Sequence, residues 1–267
     1  VGDIEYEDYT NFKKEDVVEK FSGVVRHVPK DYESIQDAVN SSNPGDLILV
    51  KPGIYYEEVV VNVPSITIRG WDRNTTIIDG NQNGSSVITF NSSETNDAIL
   101  ENFTITNGLS NLKGGGIYID NASPTLQNLI ISDNTAEIGN NTGSGGGIYM
   151  SNTSNAILND LIISNNLGVA GGGIFLDYYS TPIIQNCIIE ANTSLDISSG
   201  GGAISAHGNS DFILEGSTIR NNTASDDGGG LYISNSDPVI TNCIFSNNSA
   251  NDKGGAIYLT SSSSPSI

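Results

Sequence analysis

The chain has 267 residues, 37% of them hydrophobic and only 16% charged, and a formal net charge of −20. So acidic a surface repels nucleic acid phosphates and anionic lipid headgroups, which disfavours both as partners. No apolar run approaches the roughly 20 residues that cross a bilayer, so insertion as a membrane helix is excluded.

Residues 1–73 hold eight basic and 14 acidic side chains, whereas residues 74–267 hold 17 acidic and three basic ones, Lys113, Arg220 and Lys253. Residues 1–31 read as an acidic leader with a short helical stretch around Lys13–Phe21. The next segment, YESIQDAVNSSNPGD (32–46), reads as a capping helix. Ser34 is placed to cap it, Ile35, Ala38 and Val39 form a one-sided apolar stripe, and Asn43-Pro44-Gly45-Asp46 stops it. From Leu47 the pattern turns to short β runs: LILV (47–50), YEEVVVN (56–62), SITIRG (65–70), TTIID (75–79) and SVITF (86–90).

Two phrases then alternate. GGGIYID (114–120) returns as GGGIYMS (145–151), GGGIFLD (171–177), GGAISAH (201–207), GGLYISN (229–235) and GGAIYLT (254–260). Between them stand AILENFTITNG (98–108), PTLQNLIISDN (124–134), AILNDLIISNN (156–166), PIIQNCIIEAN (182–192), FILEGSTIRNN (212–222) and PVITNCIFSNN (238–248). The branched residue after the glycines falls at 117, 148, 174, 204, 231 and 257, so the intervals are 31, 26, 30, 27 and 26 residues. A hexapeptide left-handed helix would repeat at about 18 residues, and helical repeats need a 3.6 period, so both fail. The spacing predicts coils of two or three short strands stacked on one another: an all-β solenoid over 47–267, its last coil left incomplete at SSSSPSI (261–267).

Strand alternation assigns faces. Ile117 and Ile119, Ile257 and Leu259, Leu129 and Ile131, Cys187 and Ile189, and Cys243 and Phe245 point inward. The glycines mark a corner turned in every coil. Asn134, Asn166, Asn192, Asn222 and Asn248 share one repeat position, and Asn102, Asn128, Asn186 and Asn242 another; both sets read as structural turn residues with amides stacked along the axis. Cys187 and Cys243 fall two layers apart, roughly 9–10 Å at about 4.8 Å per layer. A disulfide needs Cα atoms within about 7 Å, so two free, buried thiols are expected.

With these motifs the sequence resembles the pectin-lyase-like right-handed parallel β-helix superfamily. Residues 32–80 are similar to its helix-capped beginning, and the GGAIY and FSNN (245–248) phrases resemble the repeats of polymorphic outer membrane proteins and adhesin-like surface proteins. The resemblance implies a right-handed parallel β-helix with an N-terminal capping helix. It leaves function open among lyases, hydrolases, esterases and inert surface proteins.

Tested against the enzymes of that superfamily, the chain offers fragments. Asp226-Asp227 is a carboxylate pair in SDDGGG, but His207 sits in AHGN and no Arg-x-Lys phrase accompanies it. Uronate lyases need a basic proton acceptor and cations beside the substrate carboxylate, and the repeats hold three scattered basic residues. GIYYE (53–57) and SDFILEG (210–216) echo esterase phrases without their partners. No catalytic residue and no metal site is therefore expected, and no cofactor. Weak Ca²⁺ binding by the acidic loops ASDDGG (224–229) and ANDKGG (250–255) is the alternative to plain solvation.

Outward positions are unusually apolar. Tyr118, Tyr149, Phe175, Tyr232 and Tyr258 form an aromatic file broken at Ser205, the candidate ligand- or partner-binding surface. Ile130, Ile162, Ile188 and Ile244 form an aliphatic file broken at Thr218. N-glycosylation sequons stand at Asn40, Asn74, Asn83, Asn91, Asn102, Asn121, Asn140, Asn152, Asn192, Asn221 and Asn247 and point to an exported glycoprotein. The expected function is a non-catalytic, extracellular cell-surface protein, structural or adhesin-like, that self-associates head to tail or meets other surface proteins. The alternative is a carbohydrate-active enzyme, a polysaccharide lyase or glycoside hydrolase, or a sugar-binding module with a polysaccharide partner.

Overall fold

Runs of two to four β-branched residues, each cut by an asparagine, aspartate or glycine, are too short for an ordinary sheet. They fit a chain that turns a corner after every run and pairs with itself one coil later. A computed structural model of the protein has this form and describes residues 23–267 except 112, 137–142 and 198–199. Four parallel sheets run along the axis. The first has nine strands, from Val25–Val28 to Val239–Thr241, and the second eight, from Gly53–Tyr56 to Ile244–Ser246. The third has eight, from Val59–Val61 to Ile257–Thr260, and the fourth six two-residue strands, from Leu109–Ser110 to Ser249–Ala250.

One coil shows the circuit. Thr125–Gln127 lies in the first sheet, Ile130–Ser132 in the second and Thr135–Ala136 in the fourth; the glycine corner follows, and Ile148–Ser151 lies in the third. Each strand pairs in parallel with its counterpart one coil on, Ile130 with Ile162 and Tyr118 with Tyr149. Like therefore stacks on like. Inside, Ile117, Ile148, Ile174, Ile204 and Leu231 form one column, and Ile105, Ile131, Ile163, Ile189 and Ile219 another, all fully buried. Each buried aliphatic side chain contributes roughly 1.5–3 kcal/mol. The last coil opens to solvent: Phe245 and Ile257 are half-buried, and Leu259 is 41% exposed.

The two asparagine sets do different work. Corners between the first and second sheets are turned by one left-handed residue, Asn102, Asn128, Asp160, Asn186, Gly216 or Asn242, with φ between 51° and 66°. In the other set the left-handed residue is the one before the repeated asparagine: Asp133, Asn165, Ala191, Asn221 and Asn247. The repeated asparagine itself turns inward. Asn192 Nδ2 donates to Asn222 Oδ1 (3.0 Å) and to the Ile163 carbonyl (2.9 Å), while its Oδ1 accepts from Asn166 N and Nδ2, both at 3.0 Å. Asn134, Asn166, Asn222 and Asn248 continue the same pattern. This amide column holds the second-sheet corner shut from inside, where an unpaired polar group would be costly.

Ala191 is the lone member of its corner set that lacks a polar side chain. A left-handed alanine is strained by roughly 1–2 kcal/mol, and asparagine tolerates that conformation better. Ala191→Asn is expected to raise stability by about 0.5–1 kcal/mol in urea denaturation, since the position is exposed and nothing else changes.

The helix is shorter than its segment. It spans Ile35–Asn40, with Ser34 accepting the Asp37 N–H, and buries Ile35, Ala38 and Val39 in the core beside Ile48 and Val50. The Glu57 carboxylate accepts the N–H groups of Ile35 and Gln36 at 2.9 and 3.0 Å, neutralising the helix start. After it, Asp46 accepts from Asn43 N (2.8 Å) and pairs with Arg26 (2.7 Å), so NPGD forms a tight stop. The short helical stretch at Lys13–Phe21, with most of the acidic leader, lies outside the described residues. Both cysteines are free. Ser217 stands between them in the stack, donating to the Glu215 carbonyl and accepting from Cys187 N. Burial pushes the Cys187 thiol up to about 12; Cys243, nearer the open end, is half-buried rather than buried.

Candidate functional site

The outer face of the third sheet collects aromatic rings because the second residue of its strands points outward in every coil. Registration places Tyr118, Tyr149, Phe175, Ser205, Tyr232 and Tyr258 in one row. The gap that the sequence leaves at Ser205 is filled. His207, two residues on and on the same face, swings its ring into the row between Phe175 (5.1 Å) and Tyr232 (5.3 Å). Its Nε2 is 2.9 Å from Ser205 Oγ. The file is thus six rings long, with the remaining centroid spacings 5.8, 5.4 and 5.7 Å. Other coils carry Asp120, Ser151, Asp177, Ser234 or Thr260 where this one has His207, and that exchange of serine and ring was the signal available in the sequence.

Two of the three basic residues of the repeats lie over rings of this file, one near its start and one at its last ring. Lys113 Nζ lies 4.8 Å over the Tyr149 ring and Lys253 Nζ 5.7 Å over Tyr258. The ring faces are spent on one another, and Tyr149, Phe175 and Tyr232 are buried. What the file offers a ligand is ring edges and phenol hydroxyls. Burial raises the pKa of Tyr118, Tyr149 and Tyr232, and for Tyr149 Asp177 raises it further. Burial lowers that of His207, against the opposing pull of Asp177 and Asp196, so the ring sits in the stack as neutral imidazole at neutral pH. At the N-terminal end, Lys113 and Tyr118 line a hollow of about 460 Å³ together with Ser86, Thr89, Ser110 and Asn111.

At the C-terminal end stand carboxylates. The loops ASDDGG and ANDKGG, one coil apart, bring one oxygen each of Asp226, Asp227 and Asp252 within 4.8 Å of one another. Asp227 is buried, and its Oδ1 accepts the Lys253 N–H at 2.8 Å. Partial burial, then the charges of Asp227 and Asp252, raise the pKa of Asp226. Lys253 Nζ reaches Asp252 at 2.8 Å, placing a cation at the cluster that a metal would have to displace. The cluster adjoins the file, for Asp227 and Asp226 both raise the pKa of Tyr232.

Other sequence candidates go elsewhere. Glu57 of GIYYE is committed to the helix start, and Phe212 of SDFILEG is a core residue whose neighbour Asp211 accepts from Asp237 N at 2.7 Å. Asn192 is corrected as a glycosylation candidate: it is fully buried, and both amide hydrogens are engaged. Asn40, Asn74, Asn83, Asn91, Asn121, Asn152, Asn221 and Asn247 are exposed, and Asn102 is half-buried, accepting from Asn128 Nδ2 at 2.7 Å. Asn140 lies outside the described residues. Ile130, Ile162, Ile188, Thr218 and Ile244 form one outer column of the second sheet, and Ile244 at its open end is 62% exposed.

Comparison with known proteins adds the following. Pectin methylesterase PemA from Erwinia chrysanthemi superposes with a TM-score of 0.52 at 15% identity, covering 90% of this chain and 80% of that one. Pectin methylesterase from carrot gives 0.50 at 13% identity, over 91% and 89%. A pectin methylesterase in complex with a hexasaccharide gives 0.53 at 16%, over 90% and 80%. At such identities the likeness is one of fold. Among curated proteins, no sequence matches. The expected non-catalytic, adhesin-like reading, and with it the expectation that the chain is no enzyme, is corrected by this company of carbohydrate-processing structures; the polysaccharide-directed alternative is carried forward. No helix among the described residues is long and apolar enough to cross a membrane. The family model described as a right handed beta helix region matches residues 68–222 and 193–267, and the chain belongs to that family.

Proposed function

We propose that the protein is a carbohydrate-active enzyme that hydrolyses an extracellular polysaccharide laid against the outer face of the third sheet. The observation that carries this reading is the junction of the aromatic file with the Asp226–Asp227–Asp252 group. Two carboxylates a few ångströms apart, the proton affinity of one raised by its surroundings, suit acid-assisted cleavage of a glycosidic bond, and retaining enzymes set theirs about 5–5.5 Å apart. Asp226, with its raised pKa, gives its proton to the leaving oxygen. Asp227, fixed by the Lys253 N–H, attacks the sugar carbon as its bond to the leaving oxygen breaks, and a water that gives its proton to Asp226 then displaces Asp227, restoring both groups. The dearth of basic residues in the repeats speaks against proton abstraction of the lyase kind. The pectin methylesterases that share the fold, one of them holding a hexasaccharide, support a polysaccharide as the substrate class.

The test is reducing-end release from a panel of plant and microbial polysaccharides. Activity is expected with the wild-type protein, and Asp226→Asn and Asp227→Asn should each lower it by roughly 10²–10⁴-fold. Unchanged yields in both variants, or no release from any polymer, would remove the reading.

A further inference from the structure

Coming off the third sheet, the chain turns toward the first through left-handed residues in every repeat coil. Asn121, Asn152-Thr153, Gly208-Asn209, Asn235 and Ser261-Ser262 take this conformation, with φ between 49° and 64°. All are small, and all but Gly208 are polar, as such a corner favours. One coil departs from the pattern. Its corner is Tyr178-Tyr179, φ 48° and 61°, two bulky residues where the backbone penalises them.

The strain is held by the surroundings. Asp177 Oδ1 accepts the Tyr178 N–H (2.9 Å) and Ser180 Oγ donates to the Asp177 carbonyl (2.7 Å). Thr153 N donates to the Tyr178 carbonyl, and Tyr179 N to the Gly208 carbonyl, both at 2.9 Å. The backbone is thereby locked from the coil on either side. Neither ring is buried in return: Tyr178 is 56% and Tyr179 59% exposed, unlike the stacked rings beside them. In the next coil Gly208 (φ +64°) lies close beneath, since a Cβ there would sit in tight contact, 3.0 Å from Asp177 Oδ1 and from Tyr178 N. Packing thus gives no return for the strain, and the aromatic faces are left open to solvent. Backbone strain kept without a packing reason is a mark of function.

From this we infer that Tyr178 and Tyr179 form a stacking subsite for an uncharged pyranose chain, a deepening that rests on the carbohydrate reading above. The CH faces of a sugar ring lie on the tyrosine faces. The exposed Asn209, on the following coil, supplies an amide for its hydroxyls, while Asn152 Nδ2 already donates to Asp120 Oδ1 at 2.7 Å. Charge selects the substrate class. Asp120 and Asp177 lie beside the file, and the three basic residues of the repeats are engaged away from the corner: Lys113 over Tyr149, Lys253 with Asp252, and Arg220 with Glu190 at 2.6 Å. Among the described residues no cation stands at this corner to balance a uronate carboxylate, so neutral or fully esterified polymers are taken and polyanions refused.

The test is affinity electrophoresis through gels containing a neutral glucan, a mannan, a xylan or methyl-esterified pectin, with polygalacturonate as the charged counterpart. The wild type should be retarded by at least one uncharged polymer and not by polygalacturonate. Tyr178→Gly/Tyr179→Asn, which copies the Gly208-Asn209 corner of the next coil, should bind that polymer about tenfold more weakly. It should also unfold at a higher temperature, because the strain is gone. Retardation of the variant equal to that of the wild type, retardation by polygalacturonate alone, or by nothing, overturns the subsite. Reducing-end release is read on the same variant. Release with Tyr-independent binding sinks the subsite and leaves the hydrolase; Tyr-dependent binding without release does the reverse.

Discussion

Replacing Asn192 by alanine is expected to destabilise the protein by about 4 kcal/mol, because it orphans several buried polar groups at roughly 1–3 kcal/mol each. The Ile163 carbonyl loses its donor, and Asn166 N and Nδ2 lose their common acceptor. None of these groups lies near water, since Asn166 is as buried as Asn192. Asn186→Ala is the comparison. That asparagine turns an outer corner with φ 55°, so its loss costs roughly 1–2 kcal/mol of left-handed strain and little else. Urea denaturation followed by circular dichroism reads both. Equal midpoints for the two variants would show that the inner amide column is ornamental.

Gly172→Ala should be equally severe for a different reason. A Cβ there would collide with the Thr193 carbonyl and lie 2.6 Å from the Gly202 oxygen. Both obstacles are backbone, one in the fourth sheet and one in the next coil, so neither can swing aside. Overpacking of this kind costs about 3–5 kcal/mol or prevents folding. Gly84→Ala provides the contrast: unlike Gly172 it has a left-handed φ, +96°, but its Cβ would meet only Asn111 Nδ2 at 3.7 Å. Its expected cost is roughly 1–2 kcal/mol. The readout is soluble yield and thermal midpoint. A Gly172→Ala protein as stable as Gly84→Ala would mean that the coils stand further apart than described.

Much of this architecture can be read from the sequence because it is periodic. The inward Ile117, Ile131 and Cys187 follow from two-residue alternation, and the glycine phrase marks its corner, since nothing larger fits where three backbones converge. What periodicity hides is which member of an asparagine pair turns and which is buried. Asn221 and Asn222 are adjacent and chemically identical, yet one is left-handed and exposed while the other is a fully buried hydrogen-bonding hub. Exceptions to the repeat are harder still. His207 replacing the missing ring at Ser205 requires knowing that side chains two residues apart share a face and that one can lean back. The carboxylate group needs two loops, at 226–227 and 252, to meet across a coil, a contact that neither loop announces alone. The adjacent pair Asp226-Asp227 was visible; its raised proton affinity and its place at the end of the ring file were not.

Coil lengths differ almost entirely where the fourth sheet hands over to the glycine corner. The connection before Gly145 takes eight residues, 137–144, whereas that before Gly171 takes only Val169 and Ala170. Register on either side is unaffected, for Ile117, Ile148 and Ile174 remain directly opposed. The solenoid therefore behaves as a chassis with one standard socket per coil. Segments can be lengthened, shortened or exchanged at that socket, immediately beside the ring file, while the aliphatic columns never sense the change. Specificity can thus drift quickly on a scaffold whose stability stays put.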